Sequence, residues 1–213
     1  MSDSGLLRKT FRHFRSERMR RFEETFDITA NTRILDVGGS PLIWQFASVH
    51  PKLTIANIPS ALEAGFGPID QLGADGRFLP FRDGSFDIVF SNSVIEHVAS
   101  EAAQRQFANE VARVGRSYWV QTPNRKFPVE MHTMLPLIHF LPKSLQRSVV
   151  ERFTVWEFLT RPSQAQKRYY LHHYLTELRL LGASELQRLF PDSKIIHENL
   201  LGMVKSLVAV RVR

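Results

Sequence analysis

The stretch Arg33-Ile-Leu-Asp-Val-Gly-Gly-Ser-Pro41 limits the folds open to this chain more than any other. Ile34, Leu35 and Val37 around Asp36 predict a buried parallel strand, because strands covered on both faces read as near-continuous aliphatic runs. Gly38 and Gly39 follow at once, where a side chain would block a tight turn or a ligand's approach. Ser40 and Pro41 then supply an N-cap and a first helical residue. Strand, glycine turn and helix start form the nucleotide crevice of an open α/β sheet. The acid suits a bound group with hydroxyls or a positive charge. Taken alone, the segment also fits an ordinary strand-to-loop turn.

Further along, the same rhythm returns. Residues 52–58, 86–90, 117–121, 194–198 and 204–210 read as strands. Residues 41–49 read as a short helix, 60–73 as loosely helical and then glycine-rich, and 176–190 as a further helix. Residues 101–114 form an amphipathic helix with Phe107, Val111 and Val114 on one face and Gly115 as its C-cap. Alternating strands and helices call for a mostly parallel sheet with right-handed crossovers. Between 125 and 174 the alternation fails, and Phe127, His132, His139, Phe140, Phe153, Trp156, Phe158, Tyr169, Tyr170, His172 and His173 crowd the segment. It is expected to form a helical cap, inserted into a domain spanning 30–213.

Residues 1–29 are read as a basic amphipathic helix. Arg8, Lys9, Arg12, Arg15, Arg18, Arg20 and Arg21 alternate with Leu7, Phe11, Phe14, Met19, Phe22 and Phe26, in a chain whose formal net charge is +7. Such a helix can lie on anionic lipid, contact nucleic-acid phosphate, or pack over the domain with its arginines in water. Nucleic acid is the less favoured partner. No long apolar run follows the basic one, so the segment does not read as a secretory signal, and the best membrane-span candidate, 134–141, is broken by Pro136 and His139. A cytoplasmic location, with a peripheral membrane contact through this helix, is the expectation. The absence of cysteine excludes disulfides, thiolate metal sites and a cysteine nucleophile. No H-E-x-x-H occurs among the eight histidines, and His172 and His173, being adjacent, would diverge by about 100° on a helix, so no metal is expected.

Four polar loop ends fall in order after successive strands: Asp36-Val-Gly-Gly39, Asn57, Asp75-Gly76 and Asn92. Ligands bind at the carboxyl ends of strands in such sheets. A dinucleotide fingerprint fails because Gly38-Gly-Ser-Pro-Leu-Ile43 lacks the G-x-G-x-x-G spacing, and no phosphate-binding G-x-x-x-x-G-K-[ST] loop exists.

The order and spacing of Ile34-Leu-Asp-Val-Gly-Gly39, Gly73-Ala-Asp-Gly76, the run from Leu79 to Val98 (LPFRDGSFDIVFSNSVIEHV) and Thr122-Pro-Asn-Arg125 resemble the class I S-adenosylmethionine-dependent methyltransferases, small-molecule branch of the type 11 kind. The resemblance covers roughly residues 30–125 and the terminal strands. It implies a Rossmann-like, mostly parallel seven-stranded sheet with helices on both faces. It further implies S-adenosylmethionine as cofactor, its methionine end held by Asp36, Gly38 and Gly39, its ribose by Asn57, its adenine amine by Asp75 beside Gly76, and its sulfonium region near Asn92. Two positions depart from the pattern: Asn57 stands where an acid is usual, and Ser40 where a third glycine is.

Methyl transfer from a sulfonium is an in-line displacement that needs alignment and, for some acceptors, a base. His97 and His132 are the base candidates; Glu96 and Arg125 are candidates to hold the acceptor, and Arg125 could instead pair with Glu130. The residues Ser91-Asn-Ser-Val94 differ from the [ND]-P-P-[FY] sequence often carried by enzymes that methylate exocyclic or amide nitrogens. The leucine-rich insert suits an apolar or lipid-linked acceptor, methylated at oxygen or carbon. An RNA-modifying enzyme and a non-catalytic binding protein of the same fold stand as alternatives.

Overall fold

The computed structural model describes residues 3–62, 69–160 and 162–213. Fourteen elements follow in order: α1 (Asp3–Phe26), β1 (Arg33–Val37), α2 (Pro41–Trp44), β2 (Lys52–Asn57), β3 (Asp70–Gly73), β4 (Phe86–Asn92), α3 (Glu101–Val114), β5 (Gly115–Pro123), α4 (Lys143–Val150), α5 (Val155–Thr160), α6 (Gln164–Thr176), α7 (Ala183–Leu189), β6 (Lys194–Leu200) and β7 (Met203–Arg211). The strands make one sheet in the order β3-β2-β1-β4-β5-β7-β6. Every neighbouring pair from β3 to β5 is parallel, and β7 runs antiparallel between β5 and β6. The chain steps outward through β1, β2 and β3, then returns to place β4 on the other side of β1. That reversal opens a crevice at the carboxyl ends of β1 and β4.

The period of two explains the layering. Leu35, Val37, Val89, Tyr118, Val120, Leu207 and Ala209 face one side, against Phe107, Val111 and Val114 of α3 and Leu186 of α7. Ile34, Ile88, Phe90, Trp119, Val208 and Val210 face the other, against Met19 and Phe22 of α1 and Trp44 of α2. Two covered faces account for the aliphatic runs read in the sequence.

α1 is therefore part of the core along its last turns. Phe22 is fully buried, with its ring edge-on to Phe90 at a centroid separation of 4.8 Å and to Trp119 at 5.8 Å. Arg18, one turn earlier, is also buried: Nε and Nη2 donate to the two Glu198 oxygens at 2.8 and 2.5 Å, and Nη1 donates to Asn92 Oδ1 at 2.6 Å. The Arg8, Lys9, Leu7 and Phe11 side chains lie outside the described residues, as do those of Trp156, Tyr169, Tyr170 and His173 in the insert.

Several boundaries differ from expectation. β3 is a strand where a loose helix was read; Asp70-Gln-Leu-Gly73 has one apolar residue and pairs on one side only, so no alternation marks it. α2 stops at Trp44. Residues 176–190 are not one helix: α6 ends at Thr176, and 177–182 cross back to the sheet, where Leu181 bridges Asn124 and the Arg179 N–H donates to the Glu96 carbonyl. α6 thus belongs to the cap, whose helices α4 to α6 enclose a core of their own from Leu135, Ile138, Val150, Leu171 and Tyr174. Gly115 caps α3 with extended backbone; a Cβ there would come within 2.7 Å of both Val89 Cγ2 and the Ser117 carbonyl, so close packing and not a left-handed turn selects glycine.

Candidate active site

A cavity of about 570 Å³ opens at the carboxyl ends of β1 to β4, within the range of small-ligand and cofactor sites. Gly38, Asn57, Asp75, Gly76, His97 and His132 line it, and Tyr174 and Leu178 approach from the cap. Six of the eleven residues singled out from the sequence therefore line one cavity. The remaining five do not line it, and each for a structural reason.

Asp36 lies beneath the floor. It points to the α1 and α2 face of the sheet, fully buried, where the Trp44 Nε1–H donates to Oδ2 at 2.8 Å and Oδ1 has no hydrogen-bond partner among the described residues. Burial pushes its carboxyl up to about 7, against a smaller lowering by the Trp44 bond. Gly39 roofs this carboxylate: a Cβ there would stand 1.9 Å from Asp36 Oδ2. Gly38 turns the chain with φ +74, and a Cβ there would meet Val94 at 2.5 Å.

The two departures from the family pattern find local explanations. Ser40 has φ −122, where glycine has no advantage, and its hydroxyl accepts from the Leu42 N–H at the start of α2. Asn57 donates from Nδ2 to the Gly39 carbonyl at 3.0 Å and accepts the Ile58 N–H at Oδ1. The donation needs an amide; a carboxylate there would face the carbonyl with no proton to give. Asp75 accepts from Nε and Nη2 of Arg77 at 2.5 to 3.0 Å, and that guanidinium holds its carboxyl below the usual range. Gly76 lets Phe107 pack close, with a Cβ position only 2.6 Å from the ring.

Asn92 and Arg125 are turned away from the cavity. Asn92 serves as acceptor for Arg18, and the cavity wall passes instead along Ser93, whose φ of +56 bends the chain sharply after β4. Arg125 pairs with Glu185 at 2.9 Å rather than with Glu130. Glu96 is fully buried, with Oε2 accepting from the Thr122 hydroxyl at 2.9 Å and Oε1 without a hydrogen-bond partner among the described residues. Burial raises its pKa above the usual value.

His97 and His132 meet at the cavity's mouth, Nε2 to Nε2 at 3.1 Å, with rings nearly perpendicular. His132 Nδ1 is 2.6 Å from Glu130 Oε1, and the other Glu130 oxygen accepts from the Thr133 N–H and hydroxyl. Burial alone would discharge both partners. The contact wins: Glu130 is held below, and His132 above, its ordinary pKa. The sequence reading missed Glu130 in this role, although the spacing Glu130-Met-His132 was visible; it also missed Trp44 and Arg18, whose partners lie far along the chain or across a turn and leave no local signal.

The seven-stranded sheet, parallel but for its reversed strand β7, with loop ends gathered at one cavity, is a Rossmann-like fold shared with solved methyltransferases. Residues 52–117 match the family described as "Methyltransferase domain". Uncharacterized methyltransferases of Mycobacterium strains KMS and MCS are each 36% identical over 89 residues, 39% of this chain. The match spans 34% of each relative's length. Among solved structures, the magnesium protoporphyrin IX methyltransferase of Synechocystis PCC 6803 with bound SAH is similar in fold, with a TM-score of 0.52, 10% identity, and coverage of 92% of this chain and 81% of that one. A Pyrococcus horikoshii protein gives a TM-score of 0.54 at 13% identity, over 90% of this chain and 85% of that one.

Proposed function

We propose that this chain transfers the methyl group of S-adenosylmethionine to a small-molecule or lipid-linked acceptor, at oxygen or carbon. One observation carries the reading: a single cavity joins Gly38, Asn57, Asp75 and Gly76 to the His97–His132 pair. The first group suits the cofactor, with the methionine end over the glycine turn, the ribose at Asn57 and the adenine amine at Asp75. The second suits the reacting end of an acceptor.

Displacement at a sulfonium needs the acceptor atom in line with the methyl carbon and the donor sulfur, and the cavity walls supply that alignment. For a hydroxyl acceptor, His132 is the better oriented base. In the tautomer this geometry assigns, the Nδ1–H donates to Glu130 and Nε2 accepts from the His97 Nε2–H, so an acceptor hydroxyl reaches that lone pair by displacing His97. General-base help of this kind is worth about 10²- to 10⁴-fold in rate.

The lipid-linked alternative gains support from the cap. Leu137, Phe140, Leu145, Phe153 and Phe158 each expose more than half of their surface, among Lys143, Arg147 and Arg152. Apolar side chains interspersed with cations suit the edge of an anionic bilayer, so a peripheral membrane contact through the cap and α1 belongs to the proposal. Among the described residues, no helix is long and apolar enough to cross a membrane.

The test is calorimetric titration with S-adenosylmethionine, followed by transfer of a labelled methyl group to lipid extract and to RNA. Saturable binding with label in the organic phase is the expected result. Label confined to RNA would transfer the reading to nucleic acid, and no heat of binding would remove catalysis altogether.

A further inference from the structure

We propose that Glu96, His97 and His132 form a binding site for one divalent transition-metal ion at the mouth of the cavity. Each offers one ligand atom, and the three atoms lie within 4.8 Å of one another. Two imidazole nitrogens and one carboxylate oxygen suit zinc, cobalt, nickel or ferrous ions better than magnesium. The 3.1 Å between the two Nε2 atoms is close to the roughly 3.3 Å expected of two nitrogens about 2.0–2.1 Å from one tetrahedral metal.

Two further features point to a ligand. Glu96 Oε1 is buried and, among the described residues, has no hydrogen-bond partner, while Oε2 is fixed by Thr122. A buried carboxylate oxygen left unpaired is costly, and a cation would satisfy it. His132, in turn, is backed by Glu130, the carboxylate–histidine arrangement that fixes a ligand's tautomer and turns its second nitrogen to a metal. Glu130 is itself anchored by the Thr133 N–H and hydroxyl. These ligands come from the turn after β4 and from the insert, so an ion would also tie the cap to the sheet.

Three protein ligands leave a fourth position open to the cavity. Resting on the methyl-transfer reading, that position would take an acceptor hydroxyl. The oxygen, its proton released to solvent, donates an electron pair to the methyl carbon while the carbon–sulfur pair stays on sulfur. With the ion bound, His132 Nε2 is a ligand and not a base; the ion itself lowers the hydroxyl's pKa and holds the oxygen in line.

Untagged, chelator-treated protein titrated with Zn²⁺ by calorimetry, and with Co²⁺ by visible absorbance, tests the site. One equivalent is expected to bind, with Co²⁺ giving the absorption of a four- or five-coordinate ion. His97→Ala, an exposed position, is expected to weaken binding at least 100-fold, and Glu130→Gln 10- to 100-fold. No stoichiometric uptake, or uptake unchanged in a folded His97→Ala protein, overturns the proposal. S-adenosylmethionine is titrated into the same metal-free sample: cofactor binding without metal binding removes the ion alone, and metal binding without cofactor binding removes the methyl-transfer reading alone.

Discussion

The Asp36 carboxylate lies so close under Gly39 that a β-carbon added to the glycine would stand 1.9 Å from Oδ2. The acid and the glycine are therefore one structural unit: the side chain folds back into the space that a residue at 39 would need. Gly39→Ala is expected to destabilise the fold by about 1–3 kcal/mol, the usual cost of forcing a methyl into packed surroundings. Ser40→Ala, which removes only the cap of a four-residue helix, should cost about 1 kcal/mol or less. Chemical denaturation of both variants checks the order. Equal costs would mean that the turn relaxes freely around Asp36.

Asp36 also predicts a pH dependence. Burial raises its pKa from 3.8 to about 7, so the folded chain keeps a proton that the unfolded chain releases between about pH 4 and pH 7. Stability from this group must then fall as pH rises through that window, by up to about 1.4 kcal/mol per unit, and level off above it. Asp36→Asn is expected to flatten the slope. A cationic amino group bound over the glycine turn should release the proton, visible as a buffer-dependent heat when S-adenosylmethionine is titrated near pH 6. The same slope in wild type and Asp36→Asn would assign the titration elsewhere.

How far these relationships were legible follows from their range. Aliphatic alternation set β1, β4, β5 and β7, and α3 began and ended where its cap and its Phe107–Val111–Val114 face placed it. The glycine turn and Asp75-Gly76 arrived at the cavity, because loop ends after parallel strands have nowhere else to go. Asn92 and Arg125 follow strands in the same way, but their side chains go to partners distant in sequence, Arg18 at 74 residues from Asn92 and Glu185 at 60 from Arg125, and beside Asn92 it is Ser93 and Val94 that line the cavity. β3 escaped because an edge strand with one apolar residue has no period to read. The His97–His132 contact depends on the cap folding back over the sheet, which local pattern does not encode.

The Arg18–Glu198 pair yields a third prediction. Both side chains are about nine-tenths buried, at 9% and 10% exposure, and Arg18 also holds Asn92. Removing either partner leaves a charge without its counterion in a buried site, so Arg18→Met or Glu198→Leu alone should cost about 3–5 kcal/mol. The double variant Arg18→Met with Glu198→Leu should recover most of that loss, because well-packed apolar replacements of a buried pair are often neutral. Urea denaturation of the three proteins decides it. Additive losses in the double variant would show that Arg18 acts through Asn92 and the packing of α1, not through the pair.

The exposed cap residues lead to the last prediction, which separates membrane contact from fold. Leu145 and Val149 lie on one side of α4, at 52% and 38% exposure, while Gln146 and Val150 turn into the protein. Lys143 and Arg147 sit within the same two turns. Since Leu145 makes little of the core, Leu145→Ser should change thermal stability by no more than about 0.5 kcal/mol. At a bilayer edge the same side chain would bury apolar surface, worth about 1–2 kcal/mol at roughly 25 cal/mol per Å². Co-sedimentation with anionic vesicles should therefore weaken about tenfold in Leu145→Ser, and wild-type binding should fall as salt rises. Neutral vesicles should capture little of either protein. Equal capture of variant and wild type would move the membrane contact off α4 and leave α1 as the element to test.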